Sequence, residues 1–184
     1  MRKLTLAAVL MCLALVTATS AMAEEVEISS LEELAEYAGK SGNTVRMEPG
    51  TYEMTDYISL DDIPQRRKNK NWHYIHFTGS NNEFDLTGVT ITFDTMLGHK
   101  LNAPVHTPDF LISGDDNLMK GLYIKYVNNH PSGSENVLSV RGKNNTLREV
   151  KLRVRGSSPY GYGDLFGKGG GITATYKHSG MKIT

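Results

Sequence analysis

The sequence predicts an all-β solenoid of stacked coils with one helix at its amino end, and a phrase repeated three times predicts it. Residues 75–82, 110–117 and 137–145 each give a short alternating strand, a glycine (Gly79, Gly114, Gly142) and an asparagine three residues later (Asn82, Asn117, Asn145). A second alternating strand follows every copy: 89–93, 122–126 and 150–155. The glycines lie 35 and 28 residues apart, and a period of that size made of strands and turns marks a stack of β-coils.

The amino-terminal helix has its own signature. Ser30-Leu31-Glu32-Glu33 reads as a capping box, and Leu31, Leu34, Ala35 and Ala38 recur at helical spacing until Gly39 stops the run. Thr44-Val45-Arg46-Met47 follows as a strand and Pro49-Gly50-Thr51-Tyr52 as a turn. Residues 61–72 break all periodicity and read as a protruding loop whose cations, Arg66, Arg67, Lys68 and Lys70, face water. Residues 96–109, with Pro104 and Pro108, read as a second loop. Asn82, Asn117 and Asn145 fall at equivalent corners, where asparagine tolerates a left-handed backbone and stacked amides about 4.8 Å apart form a ladder.

The ends and the composition bound the rest. Arg2 and Lys3 precede an apolar run ending in Ala21-Met22-Ala23, the layout of a secretory signal peptide, so residues 1–23 are set apart from the fold and a secreted or periplasmic location is expected. No later segment approaches the roughly 20 apolar residues a bilayer demands. The single cysteine, Cys12, lies inside that leader, which removes disulfides and thiol chemistry from residues 24–184. Without Arg2 and Lys3, 18 basic residues face 20 acidic ones, a net charge of −2. That balance, with no recognisable module, speaks against nucleic-acid binding. Residues 24–184 make one domain, and the chain reads as stopping within a fourth coil with no polar cap. The expectation is therefore an incomplete chain whose open end favours self-association.

The helix followed by Gly42-Asn43-Thr44-Val45-Arg46-Met47-Glu48-Pro49-Gly50-Thr51-Tyr52, together with the Gly-x-x-Asn coils, resembles the right-handed parallel β-helix proteins of the pectin-lyase-like superfamily. The resemblance covers residues 26–184 and implies a right-handed parallel β-helix with an N-terminal capping helix. It also implies a relation to lyases, hydrolases and epimerases of acidic polysaccharides, a superfamily that includes members without known catalysis.

Strand alternation puts Val150, Leu152 and Val154 inward and Lys151, Arg153 and Arg155 outward. The same register sets Tyr123 and Lys125 beside Lys151 and Arg153, with Thr90 and Thr92 beyond them. Such a cationic column bordered by an aromatic ring suits an acidic sugar chain, because Arg clamps a carboxylate and Tyr stacks on a pyranose face. The Gly-rich segment 156–171 leaves from this strand and would bring Tyr160, Tyr162, Asp164 and Lys168 to the same groove, with His178 at the next corner.

Elimination from a uronic acid needs a cation on the carboxylate and a base for the neighbouring C–H proton. Arg153 or Arg155 fills the first role; Lys168, Tyr162 or His178 fills the second. Tyr123, Lys125, Lys151, Tyr160 and Asp164 would bind substrate. The function expected is lyase cleavage of an acidic polysaccharide, and the alternative is a non-catalytic glycan-binding or surface β-helix protein. Hydrolysis requires two carboxylates across the bond. Asp115-Asp116 resembles part of the polygalacturonase pair, but that family's Gly-His-Gly and Arg-x-Lys signatures are missing, and the pair fits a turn instead. The six histidines show no metal-ligand spacing. Calcium would suit a lyase, but the sequence identifies no ligands for it.

Overall fold

The computed structural model describes residues 24–128, 130, 136–154 and 182–183. The chain opens with β1 (Glu24–Ile28) and α1 (Leu31–Ala38). A first circuit runs through β2 (Asn43–Met47), β3 (Gly50–Glu53), α2 (Met54–Tyr57), a 3-10 turn (Leu60–Asp62) and α3 (Ile63–Lys68). The second holds β4 (Ile75–Phe77), β5 (Glu83–Asp85), β6 (Val89–Asp94) and α4 (Thr95–Leu101). Then come β7 (Pro108–Ile112), β8 (Leu118–Lys120) and β9 (Tyr123–Val127), followed by β10 (Asn136–Val140), β11 (Thr146–Arg148) and β12 (Lys151–Arg153), with β13 at Lys182–Ile183.

These strands form three sheets, in the orders β1-β2-β5-β8-β11-β13, β4-β7-β10 and β3-β6-β9-β12. Every pairing is parallel, as in Val45↔Phe84, Phe84↔Met119 and Met119↔Leu147. The inward residues of the three sheets meet in one core that includes Phe77, Phe84, Phe93, Phe110, Ile91 and Ile124. The rings of Phe77 and Phe84 lie edge to face at 5.1 Å, and Phe93 sits 4.6 Å from both Tyr74 and Tyr126. Each such side chain contributes roughly 1.5–3 kcal/mol by leaving water.

The expected class, an all-β right-handed parallel β-helix, is corrected to a mixed α/β content: α1, α2, α3 and α4 accompany the three all-parallel sheets. Of the helices not expected, α3 and α4 fall mainly in the stretches read as loops, and α2 falls just ahead of the first of them. α3 is only six residues long and buries Ile63 alone, so no apolar period can show in it. Asp94 caps α4 through its bond from the Met96 N–H at 2.8 Å, and Thr95, Leu97, Gly98 and Leu101 are buried. Arg66, expected in water, is half-buried and donates to the His73 carbonyl.

Ser30 caps α1 as expected, its Oγ accepting from the Glu33 N–H at 3.2 Å, while Glu33 Oε2 reaches back past the cap to the Ser29 N–H at 2.9 Å. Its buried face is Leu31, Leu34 and Ala38.

The Gly-x-x-Asn corners differ in detail from a stack of amides. Asn82 Oδ1 accepts from the Asn43 N–H (2.9 Å), Asn117 Oδ1 from the Asn82 N–H (3.0 Å) and Asn145 Oδ1 from the Asn117 N–H (3.0 Å). The same side chains donate to the carbonyls of Lys40, Gly79 and Gly114 at 2.9, 3.0 and 2.8 Å. Each amide thus satisfies two backbone groups of the preceding circuit. The left-handed residue is the one before each of them: Asn81 (φ 58), Asp116 (φ 56) and Asn144 (φ 55). The glycines are required by closeness, since a Cβ on Gly79, Gly114 or Gly142 would lie 1.6, 1.8 or 1.9 Å from a carbonyl oxygen of the circuit before.

Candidate functional site

The outer face of the sheet β3-β6-β9-β12 carries two rows of side chains. Pairings Thr51↔Thr90, Thr90↔Tyr123 and Tyr123↔Lys151 build the first. Glu53↔Thr92, Thr92↔Lys125 and Lys125↔Arg153 build the second. The register is the one that strand alternation dictates, so Tyr123, Lys125, Lys151 and Arg153 stand together on β9 and β12. Lys151 and Arg153 are exposed, while Tyr123 and Lys125 are half-buried.

Two expectations about this face fail. Thr92 is only 6% exposed, on a strand against which α2 packs, so the second row is interrupted between the exposed Glu53 and Lys125. Leu152, expected in the core, is 46% exposed, because among the described residues no strand of this sheet lies beyond β12. Arg155, Tyr160, Tyr162, Asp164, Lys168 and His178 lie outside the described residues.

Neither Lys125, Lys151 nor Arg153 forms a salt bridge among the described residues. Lys125 and Arg153 occupy neighbouring positions at strand spacing, about 4.8 Å. Two like charges at that distance repel by about 1 kcal/mol or less in water, and an anion placed between them reverses the sign.

An open cleft of about 430 Å³ borders the first row, lined by Thr87, Thr90, Tyr123, Glu149 and Lys151 among others. Sequence reasoning missed Thr87 and Glu149 as members of this surface. Glu149 adopts φ 54 at a corner where Gly88 (φ 81) and Gly121 (φ 78) serve the earlier circuits. A glutamate where two glycines precede it was the available signal. The Asp115-Asp116 pair is held by the next circuit's corner: Asp115 Oδ1 accepts from the Lys143 N–H at 2.7 Å and Asp116 Oδ1 from Asn144 Nδ2 at 2.9 Å.

Among the described residues there is no group of three or more His, Cys, Asp or Glu side chains placed to hold a metal ion. None of the described helices is long and apolar enough to cross a membrane. No family model matches the chain, and no curated protein matches it significantly.

Proposed function

We propose that this chain engages an acidic, uronic-acid-containing polysaccharide along the face of Tyr123, Lys125, Lys151 and Arg153. The observation that carries the reading is the adjacency of Lys125 and Arg153, two cations at strand spacing without a salt bridge among the described residues. Carboxylates spaced along a polymer would relieve their repulsion, and Tyr123 supplies a ring beside them for a pyranose face. Export, read from residues 1–23, would bring the chain to where such polymers occur.

The chemistry we propose is elimination, with Arg153 or Arg155 neutralising the carboxylate and Tyr162, Lys168 or His178 taking the proton. Adhesion to the same polymer without bond cleavage is the second reading. It is favoured by the described rows, where the residues around Arg153 are Lys125, Lys151 and Tyr123 and no histidine stands among them.

Incubation with pectate, alginate and glycosaminoglycans, followed by ultraviolet absorbance of unsaturated uronides, tests both. Absorbance that grows with time means elimination. Binding without absorbance and without new reducing ends means adhesion. Failure to bind any of these polymers removes the acidic-glycan reading altogether.

A further inference from the structure

A second constellation lies on the outer face of the sheet β4-β7-β10. His76, at the centre of β4, points outward between the buried Ile75 and Phe77. Its Nε2 lies 2.9 Å from Oγ of Ser113, the residue after β7. Arg141 follows β10 at the matching position. The Ser113 N–H donates to the Phe77 carbonyl and the Arg141 N–H to the Ile112 carbonyl, both at 2.8 Å, which sets Ser113 and Arg141 one strand apart. His73 stands edge-on to the His76 ring at 5.1 Å and is itself fixed by Nδ1 to the Pro108 carbonyl at 2.7 Å.

We infer that Ser113 and His76 form a nucleophile–base pair for hydrolysis of a carboxylic ester, with Arg141 as the cation beside the developing oxyanion. The inference is independent of the glycan reading, because it uses another sheet and other residues. A serine hydroxyl becomes a competent nucleophile when an adjacent imidazole accepts its proton. In the Nδ1–H tautomer, His76 Nε2 presents its lone pair to Ser113 Oγ–H. Partial desolvation by its neighbours first, then the proximity of His73 and of the Arg141 cation, holds the His76 pKa below its ordinary value, so the ring is neutral and able to act as base near pH 7.

Ser113 Oγ attacks the carbonyl carbon while its proton moves to His76 Nε2. The tetrahedral oxyanion collapses, His76 protonates the departing alkoxide, and acyl-Ser113 remains. Water attacks the acyl carbon, giving its proton to His76. Collapse of that second intermediate returns the proton to Ser113 Oγ and releases the carboxylic acid, so that ester and water become alcohol and acid. Ser113 and His76 are both exposed, so an ester can reach them from solvent. Among the described residues no carboxylate is hydrogen-bonded to His76, and His73 meets its ring only edge-on, so a slow enzyme is the expectation.

The test is covalent labelling of the full chain with a fluorophosphonate, read by peptide mass spectrometry, alongside hydrolysis of p-nitrophenyl acetate. The expected result is an adduct on Ser113, absent in Ser113→Ala and formed about 100-fold more slowly in His76→Gln. The labelling rate should rise with pH through a midpoint below 6.5, the ordinary value for histidine, and Arg141→Ala should move that midpoint upward. An unlabelled Ser113 in the wild-type chain overturns the inference, and so does a rate that His76→Gln leaves unchanged.

Discussion

The corner built from Asn43, Asn82, Asn117 and Asn145 and the outer face built from Tyr123, Lys125, Lys151 and Arg153 stack equivalent residues on successive circuits to opposite ends. At the corner the polar groups are buried and turned on the backbone: Asn82 is 3% exposed, and its amide bonds both Lys40 and Asn43. On the face the charged groups form no salt bridge among the described residues and point to solvent or to a ligand. Repetition in the first region contributes stability, since a buried polar atom left unpaired costs about 1–3 kcal/mol. Repetition in the second concentrates like charge, which contributes nothing to stability and gains value only when an anion arrives.

The comparison can be broken first at a glycine. In Gly114→Ala the new Cβ would stand 1.8 Å from the Gly79 carbonyl oxygen, so neighbouring circuits must separate. A loss of about 3 kcal/mol or more in denaturant unfolding is expected. A near-neutral result would mean that the corners are far more pliant than their spacing implies.

Asn117→Ala comes next. It strands the Asn82 N–H and the Gly79 carbonyl in a buried corner, a loss of about 3 kcal/mol. Asn43→Ala, which removes the side-chain bond to Asn82 Oδ1, should cost about 1 kcal/mol. Equal losses in the two variants would show that the backbone bonds are not what distinguishes the corner.

The face should respond in the reverse sense. Lys125→Ala with Arg153→Ala is expected to change unfolding stability by no more than about 0.5 kcal/mol. Affinity for an acidic polysaccharide at low salt should fall at least roughly tenfold. Unchanged affinity would take these cations out of the binding argument.

Glu149 sharpens the contrast most finely. Its backbone sits at φ 54, where glycine is free of the strain an L side chain carries. Glu149→Gly should therefore stabilise the chain by about 1 kcal/mol and, by removing a carboxylate from the cleft beside Tyr123 and Lys151, strengthen the binding of an acidic polysaccharide there. A glycine that weakens that binding would make Glu149 a direct contact to the polymer.

The amino-acid sequence by itself determined the α1 cap, the glycine and asparagine corners and the strand register. These are local or periodic: Ser30 and Glu33 lie within one turn, and alternation through 123–126 and 151–153 admits one outward set. The pairing of Lys125 with Arg153 was legible for that reason. Tertiary structure decided what depends on neighbours far along the chain. It made helices of α2, α3 and α4, too short to announce themselves by period, because Met54, Ile63 and Leu97 find a core to enter. It buried Thr92, left Leu152 open, and turned the asparagine amides onto backbone groups of the preceding circuit. It also brought His76 within a hydrogen bond of Ser113, 37 residues away, a contact that no local pattern encodes because only the stacking of circuits creates it.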